Sequence, residues 1–442
     1  MSHPTKSASY NLKVVLQLTG IKPDTLRAWE RRYGLPQPQR TPGGHRLYSQ
    51  YDIEMIKWLM ARQEEGMRIN RAIDLWRALV SDGLDPLDGE NSIKGTAPSL
   101  EQPLVVGSSL DELRLGWVGA CLAFDEISAE RILIQSFAMY PVEMVCLEVL
   151  QKGIVDIGDR WYRGLATVQQ EHFASGLALR RLDALIAASP PSSRSEKILV
   201  GCPAMEEHTM APLMTTLFLR RHGWDAIYLG ANVPQLDLDK AVSHTGARLV
   251  ILIASQLYTA ANLFDSAHQL KRFNMPFAYA GSIFARQPRL RKRIPGYYLG
   301  DRLDRVVQEV DIALNLPLHF SDTPVAQEEF SIARKEIEAN QSMIKADVWN
   351  QLQAKEIKNQ TLQLATDLLM RDILSALKLE SLESLQVELD WVNVLLDHQE
   401  YSASLLPLLL RVFAHALDRN VGDAGKIVVD WLLIEADRLG EM

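Results

Sequence analysis

Apolar residues recur at helical spacing in two short segments near the beginning of the chain. Residues 11–20 have apolar positions three and four apart and end on a glycine, which is typical of a helix C-cap. Residues 21–33 repeat the pattern with Pro23 in the first turn, and one face carries Leu26, Trp29 and Tyr33. The pattern predicts two helices joined by a turn. It leaves three charged residues on other faces, free for outside contacts: Arg27, Glu30 and Arg31.

The middle of the chain changes from helical to mixed patterning. From residue 110 to 188 apolar positions return every three or four residues, which predicts helices throughout, most simply packed as a four-helix bundle. After residue 193 short runs that are apolar on both faces alternate with helical segments, which predicts a parallel, doubly wound sheet. These runs begin at Ile198, Ala226, Leu249, Phe277 and Gly296.

The last third of the chain is acidic and again helical in pattern. Residues 319–442 contain twenty-one Asp and Glu against eleven Lys and Arg, and residues 325–377 form one run without Pro or Gly. This pattern predicts an additional helical bundle. Its role stays open between oligomerisation, packing on the preceding domain, docking of a protein partner and a second ligand pocket.

The segment after the predicted helix pair combines glycines with cations. Residues 39–48 hold a Gly-Gly pair that permits a tight turn, with basic side chains where phosphates would be met. Residues 1–75 carry twelve Lys and Arg against seven Asp and Glu, whereas the whole chain has a net charge of −8. This concentration of basic residues indicates a DNA-binding head with a basic wing. The predicted DNA-contacting residues are Arg27, Arg31, Arg40, His45 and Arg46, with Tyr48 packing the wing.

A chain of 442 residues is too long for a single core. Residues 83–109 mix Gly, Pro, Ser and acidic residues with little periodicity, which predicts a flexible linker. The expected fold is multidomain, α and α/β. Its parts are a winged helix-turn-helix domain in residues 1–82, a four-helix bundle in 110–190, a Rossmann-like doubly wound parallel sheet in 195–318 and a helical C-terminal region in 320–442.

Composition also bears on the compartment. No apolar run approaches the length of a membrane span, and the N-terminus lacks the layout of a signal peptide, so we expect a cytoplasmic protein without membrane contact. The three cysteines are too scattered for a zinc site or a disulfide framework, and each lies in an apolar context. We expect them to be buried.

A cluster of candidate ligand contacts lies near the end of the predicted bundle. Trp161, Val168 and His172 are spaced by seven and four residues, so they share a face if the helix is continuous, with Glu171 beside the same pocket. The alternative is a tryptophan in the bundle core and a solvated Glu–His pair.

A second candidate lies directly after the first predicted strand, where parallel sheets bind their ligands. Glu206 precedes His208 by two residues, a spacing that can direct a carboxylate at the imidazole and raise its basicity as a metal ligand. The alternative is a surface histidine in a loop.

Two runs in the basic head, residues 26–35 and 40–48, resemble the MerR family of winged-helix transcription regulators. The resemblance implies binding of double-stranded operator DNA. The alternative for these residues is a small helical domain whose arginines are only solvated.

The loop after the first strand resembles that of cobalamin-binding domains, whose pattern is Asp-x-His-x-x-Gly with the histidine as lower axial ligand to cobalt. The chain has Glu206-x-His208-x-x-Ala211. Two further features of that family map onto Ser255-x-Leu257, a Ser-x-Leu that lines the cavity of the nucleotide tail, and onto Gly281-Ser282, where Gly-Gly is usual. The resemblance implies that His208 is the metal ligand and that these loops hold the cofactor.

With the bundle included, the chain resembles the light-sensing MerR-type repressors of the CarH and LitR group, which use adenosylcobalamin. In that group a Trp-x9-Glu-His motif caps the upper face of the cofactor, and Trp161, Glu171 and His172 match it, with Val168 at the inner position. The resemblance implies that light removes the adenosyl group and that the bundle then shifts. A homo-oligomer, dimer or tetramer, would then change its assembly and lose affinity for DNA.

The resemblance covers about residues 10–315 and leaves two questions open. Tyr162 stands where some members carry a second axial histidine, so the upper ligand after illumination is open. The altered loop motifs also keep open a regulator that works without cobalamin or with another tetrapyrrole, a bilin or haem. A corrinoid-carrying methyltransferase subunit is a further alternative, against which the winged helix argues. We expect a regulator with a cofactor and not a turnover enzyme.

Overall fold

The protein is described here from a computed structural model. The described residues are 8–40, 46–64, 69–81, 86–87, 108–316, 327–354, 360–398 and 404–440. The chain forms two compact units, Met1–Val105 and Val106–Met442. The predicted linker of residues 83–109 lies almost entirely outside the described residues.

The first unit is a small helical domain with a three-stranded antiparallel sheet. Its elements are β1 (Ala8–Asn11), α1 (Leu12–Thr19), α2 (Pro23–Tyr33), β2 (Gln39–Arg40), β3 (Arg46–Ser49), α3 (Gln50–Glu64) and α4 (Ile69–Ser81). Strand β3 lies between β1 and β2. The side chain of Asn11 accepts from the backbone N–H of Val14 and caps α1. Leu26 and Trp29 of α2 are buried in one core with residues of α3 and α4, as the helical spacing predicts.

The second unit begins with the helices of the predicted bundle. They are α5 (Leu110–Leu122), α6 (Glu126–Met139), α7 (Val142–Val145), α8 (Lys152–Tyr162) and α9 (Val168–Ala187), and a π-helical segment, Cys146–Gln151, joins α7 to α8. The helix does not continue from Trp161 to His172. Gly164 adopts a φ of 71° after α8, and Thr167 begins α9 with a capping box to Gln170. The expectation of one shared helical face is therefore wrong, and Trp161 lies on a different helix from the other three residues of its cluster.

A five-stranded parallel sheet follows the bundle, in the order β5-β4-β6-β7-β8. Its strands are β4 (Lys197–Pro203), β5 (Asp225–Val233), β6 (Leu249–Ile253), β7 (Phe277–Ala280) and β8 (Tyr297–Tyr298). Between and after them lie α10 (Met210–Arg221), α11 (Leu238–Thr245), α12 (Leu257–Arg272), α13 (Ser282–Arg286) and α14 (Val306–Asn315). The predicted doubly wound sheet is confirmed, and the predicted runs begin within one residue of the observed strands. The sheet order places β4 beside β6, so the loops that follow these two strands meet at the carboxyl edge of the sheet.

The C-terminal region consists of α15 (Glu328–Ala354), α16 (Gln360–Lys378), α17 (Ser384–His398), α18 (Leu405–Val421) and α19 (Lys426–Gly440). These helices share a hydrophobic core with α12 and one face of the sheet. Polar contacts join the same surfaces. Gln287 donates to the Ser384 carbonyl at 2.9 Å, and Arg293 pairs with Glu380 at 2.6 Å. Of the roles open from the sequence, packing on the preceding domain is the one these contacts support.

The expectation that the cysteines are buried is confirmed. The three cysteines are free and buried, and burial raises the pKa of each thiol to about 12. Among the helices that the structure describes, none is both long and apolar enough to cross a bilayer.

Candidate functional site

Two predicted DNA contacts lie exposed on α2, one helical turn apart. The side chain of Arg27 is 55% exposed and lies 3.7 Å from the Asp24 carboxylate, and Arg31 is also exposed. Because Leu26 and Trp29 face the core, these arginines lie on the outer side of the helix. Their guanidinium groups are therefore accessible to an outside partner such as DNA.

Glu30 turns toward the wing and not outward. Its carboxylate accepts from Arg46 Nε at 2.9 Å and from the hydroxyl of Tyr48 at 2.5 Å, and its side chain is only 10% exposed. Tyr48 is fully buried, and burial together with Glu30 raises the pKa of its hydroxyl far above the usual range, so it remains a donor. The expectation that Glu30 is free for outside contacts is therefore wrong. Glu30 fixes the wing strand β3 to the helix α2.

The remaining wing residues are only partly described. Arg40 pairs with Arg46 across the two strands of the wing, while its side chain and the whole of His45 lie outside the described residues. DNA contact by these two residues stays a prediction.

The bundle contributes four predicted residues of different exposure. Trp161, at the end of α8, and Glu171 are half-buried, while Val168 and His172 are 40% and 76% exposed. In the first turn of α9, Glu171 accepts from the hydroxyl of Ser175 at 2.6 Å and lies 2.7 Å from His172 Nδ1. A carboxylate and an imidazole at an exposed helix start are available to a ligand.

His208 is aligned by Glu206 in the loop between β4 and α10. Glu206 Oε1 accepts from the backbone N–H of His208 at 3.0 Å and lies 2.6 Å from its Nδ1. Because a carboxylate can only accept, Nδ1 carries a hydrogen and Nε2 is the ring nitrogen left to coordinate a metal. The side chain of His208 is 61% exposed and that of Glu206 only 1%. A buried carboxylate thus presents an accessible imidazole.

The second oxygen of Glu206 ties this loop to the next strand. Oε2 accepts from the backbone N–H of Ser255 at 2.6 Å and from the hydroxyl of Thr259 at 2.8 Å. Burial alone would raise the pKa of Glu206, but the hydrogen bonds from His208, Ser255 and Thr259 outweigh burial and hold it below the usual range. The carboxylate therefore stays ionised and joins the carboxyl ends of β4 and β6.

The electrostatics relate the bundle residues to the histidine loop. The hydrogen bond with Glu206 raises the pKa of His208 above its usual range, and the carboxylate of Glu171 on α9 acts in the same direction. Glu171 of the bundle thus acts electrostatically on the imidazole that the sheet domain presents.

A cavity of about 270 Å³ opens beside this loop. Four of its lining residues were singled out from the sequence, namely Ala211, Ser255, Gly281 and Ser282. Leu257 does not line it but is buried in the core, so its predicted contact with a cofactor tail finds no support. The cavity is bounded by the ends of β6, β7 and β8 and by α10.

One lining residue of the cavity offers a polar group that no described residue uses. Thr215 of α10 lines it and is fully buried, and its hydroxyl has no hydrogen-bond partner within the described part of the chain. A buried hydroxyl without a partner costs free energy unless a ligand or a water satisfies it. Together with the free Nε2 of His208, this hydroxyl fits a metal-centred cofactor with a polar tail.

Three functional candidates were missed from the sequence. Thr215 and Thr259 lie inside apolar helical patterns, and Gln151 reaches the cavity from the end of the π-helical segment. A π-helical segment such as the one that ends at Gln151 is frequent at functional sites. The spacing of residues in the sequence gives no signal for these three candidates, because the role of each depends on which elements pack together.

Two family models match the chain. The one described as MerR HTH family regulatory protein matches residues 10–79, and the one described as B12 binding domain matches residues 116–186. The first range contains the helix pair and the wing, and the second lies on the bundle.

Two relatives from Myxococcus xanthus are matched over most of their own length. The HTH-type transcriptional repressor CarH is 33% identical over 235 residues, which are 53% of this chain and 75% of CarH. The HTH-type transcriptional repressor CarA is 33% identical over 233 residues, 52% of this chain and 71% of CarA. Among solved structures, the alignment with the Methanosarcina barkeri monomethylamine corrinoid protein covers 46% of this chain and 96% of that protein's chain, at 15% sequence identity. Its TM-score of 0.39 is too low to bear on function.

Proposed function

Because the chain belongs to the family of MerR-type transcriptional repressors with a B12-binding domain that includes CarH and CarA, we propose that it is an operator-binding repressor controlled by adenosylcobalamin and light. The family membership expected from the sequence is confirmed, and the named relatives are regulators of transcription. The adenosyl form, the response to light and the individual site residues belong to the proposal.

The observation that carries the proposal is the Glu206–His208 pair, which is joined through Ser255 to a cavity with an unpartnered hydroxyl. We propose that His208 Nε2 is the lower axial ligand and that Thr215 and Ser255 bind the nucleotide tail. When bound, adenosylcobalamin would supply a light-sensitive cobalt–carbon bond with the adenosyl group on the bundle side. Glu206 holds the imidazole in the tautomer that can coordinate, which is the part of the chemistry that the protein contributes.

The bundle residues would respond to loss of the adenosyl group. Trp161 and Val168 are large apolar side chains that are not fully buried, so a group packed against them would complete their burial. Removal of that group would leave a void. Because protein interiors are closely packed, the surrounding side chains and helices would rearrange to fill it. We propose that this rearrangement separates protomers and thereby lowers the avidity of the paired heads for DNA.

For the DNA-binding head, we propose that Arg27 and Arg31 enter the groove and that Arg40, His45 and Arg46 contact phosphates from the wing. We also propose the division of the chain expected from the sequence, with domains in residues 1–82, 110–190, 195–318 and 320–442. The last three of these domains lie in one compact unit, in which the sheet shares one hydrophobic core with the bundle and another with the C-terminal helices.

The test uses full-length protein incubated with adenosylcobalamin in the dark and then exposed to green light. We expect a retained chromophore whose spectrum changes on illumination, a larger assembly in the dark by light scattering, and tighter DNA binding in the dark. His208→Ala should lose the base-on spectrum or the chromophore, while His172→Ala, on the bundle side, should keep the lower ligand. A wild-type protein that retains no chromophore refutes cobalamin binding and favours another tetrapyrrole or none. Photolysis without any change in mass or DNA affinity refutes the light switch alone.

A further inference from the structure

Helices α12 and α16 pack side by side in the same direction. The guanidinium of Arg371 lies 3.6 Å from the centre of the Tyr258 ring, and Lys378 Nζ lies 2.6 Å from Asp265 Oδ2. The second contact lies seven residues after the first on each helix, which is about two helical turns. The C-terminal region therefore contacts the sheet domain at two matched points, one at the beginning of α12 and one in its middle.

The first of these points is the turn that holds Glu206. In that turn the Ser255 N–H and the Thr259 hydroxyl both donate to the Glu206 carboxylate. The hydroxyl of Thr259 also accepts from the Gln256 N–H at 3.1 Å, which closes the turn. The orientation of His208 thus depends on the geometry of residues 255–259.

Tyr258 belongs to the same turn, and its ring contacts the C-terminal region. Its ring is half-buried under Arg371, whose Nε donates to Asp372 at 2.9 Å, and the side chain of Arg371 is 31% exposed. A cation held in place over an aromatic ring in a partly desolvated site changes an equilibrium by a factor of about 2 to 30. Arg371 therefore stabilises the same turn through Tyr258, a residue that does not bond to Glu206 itself.

We infer that Arg371, in the C-terminal region outside the resemblance to known regulators, is a positioning residue for His208. The inference rests on the proposed function, since it assigns His208 the role of cobalt ligand. By linkage, cobalamin binding and the contact of Arg371 with the Tyr258 ring strengthen each other by the same factor. Through this contact the C-terminal region contributes to the affinity of a cofactor whose candidate cavity none of its described residues lines.

The test compares Arg371→Met, which removes the charge but keeps most of the stem packing, with Lys378→Met two turns further along. Hydrogen exchange is first measured on the cobalamin-free protein. We expect Arg371→Met to accelerate exchange of the amides in residues 255–262 by about 2- to 30-fold. Lys378→Met should affect only amides beyond residue 262. Equal exchange at residues 255–262 in Arg371→Met and wild type overturns the inference even if cobalamin binds.

The second measurement is titration with adenosylcobalamin in the dark, read from the visible spectrum. We expect Arg371→Met to bind about 2- to 30-fold more weakly and with a smaller base-on fraction, Arg371→Lys to recover most of both, and Lys378→Met to match wild type. Equal losses in Arg371→Met and Lys378→Met would mean that docking of the C-terminal helices as a whole matters, and would overturn a specific role for Arg371. A wild-type protein that binds no cobalamin overturns the proposed function and the ligand role with it, while the exchange data still report on the turn.

Discussion

Replacing Glu206 with Gln tests the part of the site on which most of the proposal depends. The two side chains have the same shape, but an amide has one accepting oxygen where the carboxylate has two. Glu206 accepts on both oxygens, from the backbone N–H and ring of His208 on one and from Ser255 and Thr259 on the other. In either orientation the amide nitrogen meets a backbone N–H, so one buried donor loses its acceptor.

The magnitude follows from these contacts. A buried donor left without an acceptor costs about 1–3 kcal/mol of folding free energy. If the amide nitrogen faces His208, the imidazole must adopt the other tautomer. Nδ1 then accepts a hydrogen bond, and the ring hydrogen lies on Nε2, the atom proposed to bind cobalt. Loss of such an orienting partner lowers metal affinity about 10- to 100-fold, which is about 1.4–2.8 kcal/mol.

The assay is a dark titration with adenosylcobalamin combined with urea unfolding of the cofactor-free protein. Glu207→Gln is the matched control, because Glu207 is the exposed neighbour and carries the same charge near the same histidine. We expect the control to change either measurement little. Equal effects of the two variants would show that charge near His208 matters and that the hydrogen bonds to Glu206 do not.

Three further predictions concern other parts of the chain. The pKa of Glu206 is lowered on folding and that of His208 is raised, so in cofactor-free protein their pairing should stabilise most between about pH 4.5 and 6.5, the usual pKa values of the two groups. Stability should fall as the pH drops through the folded pKa of Glu206 or rises through that of His208, and His208→Ala should abolish the alkaline decline in unfolding experiments. Arg27→Ala should weaken binding to a selected DNA fragment by about 1–3 kcal/mol in fluorescence anisotropy at fixed salt if its contact with a base is bidentate, and unchanged binding would show that α2 is not the recognition helix. Trp161→Ala should leave photolysis intact while the dark protein already has the size and DNA affinity of the illuminated one, and a normal dark assembly would contradict the proposed role of this side chain.

The elements and the histidine loop were predictable because their signals are local. Capping residues such as Asn11 and the runs apolar on both faces determine where helices and strands begin. The spacing of Glu206 and His208 is also local, since two residues in one loop suffice to bring the carboxylate to the ring. The order of the strands in the sheet has no such local signal, because β5 pairs with the outer side of β4 and not with β6, the next strand in the chain.

The rest of the site depends on contacts between distant segments. The break after Tyr162 was missed because the apolar spacing continues across it, while Gly164 and the cap at Thr167 decide the backbone. The turn of Glu30 toward the wing depends on a strand sixteen residues away. The contact of Arg371 with Tyr258 joins residues more than one hundred positions apart, for which no periodicity gives a signal.

The three departures from the cobalamin-binding pattern differ in what the fold requires at each position. At Gly281 the φ is 128°, and a Cβ there would lie 1.8 Å from the carbonyl oxygen of Ala254, so this glycine is indispensable. The next residue begins α13, where any side chain fits the backbone, and the Ser282 hydroxyl donates to the Ser255 carbonyl at 3.3 Å. A Gly-Ser pair therefore keeps the glycine that the loop needs and adds a hydrogen bond to the strand end beside it.

Ala211 adds a methyl group to a cavity that still measures about 270 Å³. Glu206 retains the charge of the usual aspartate and reaches two elements besides its own loop. Glu206 retains the charge and Gly281 the backbone that their positions supply, and in these respects the altered loops are compatible with the proposed cobalamin site.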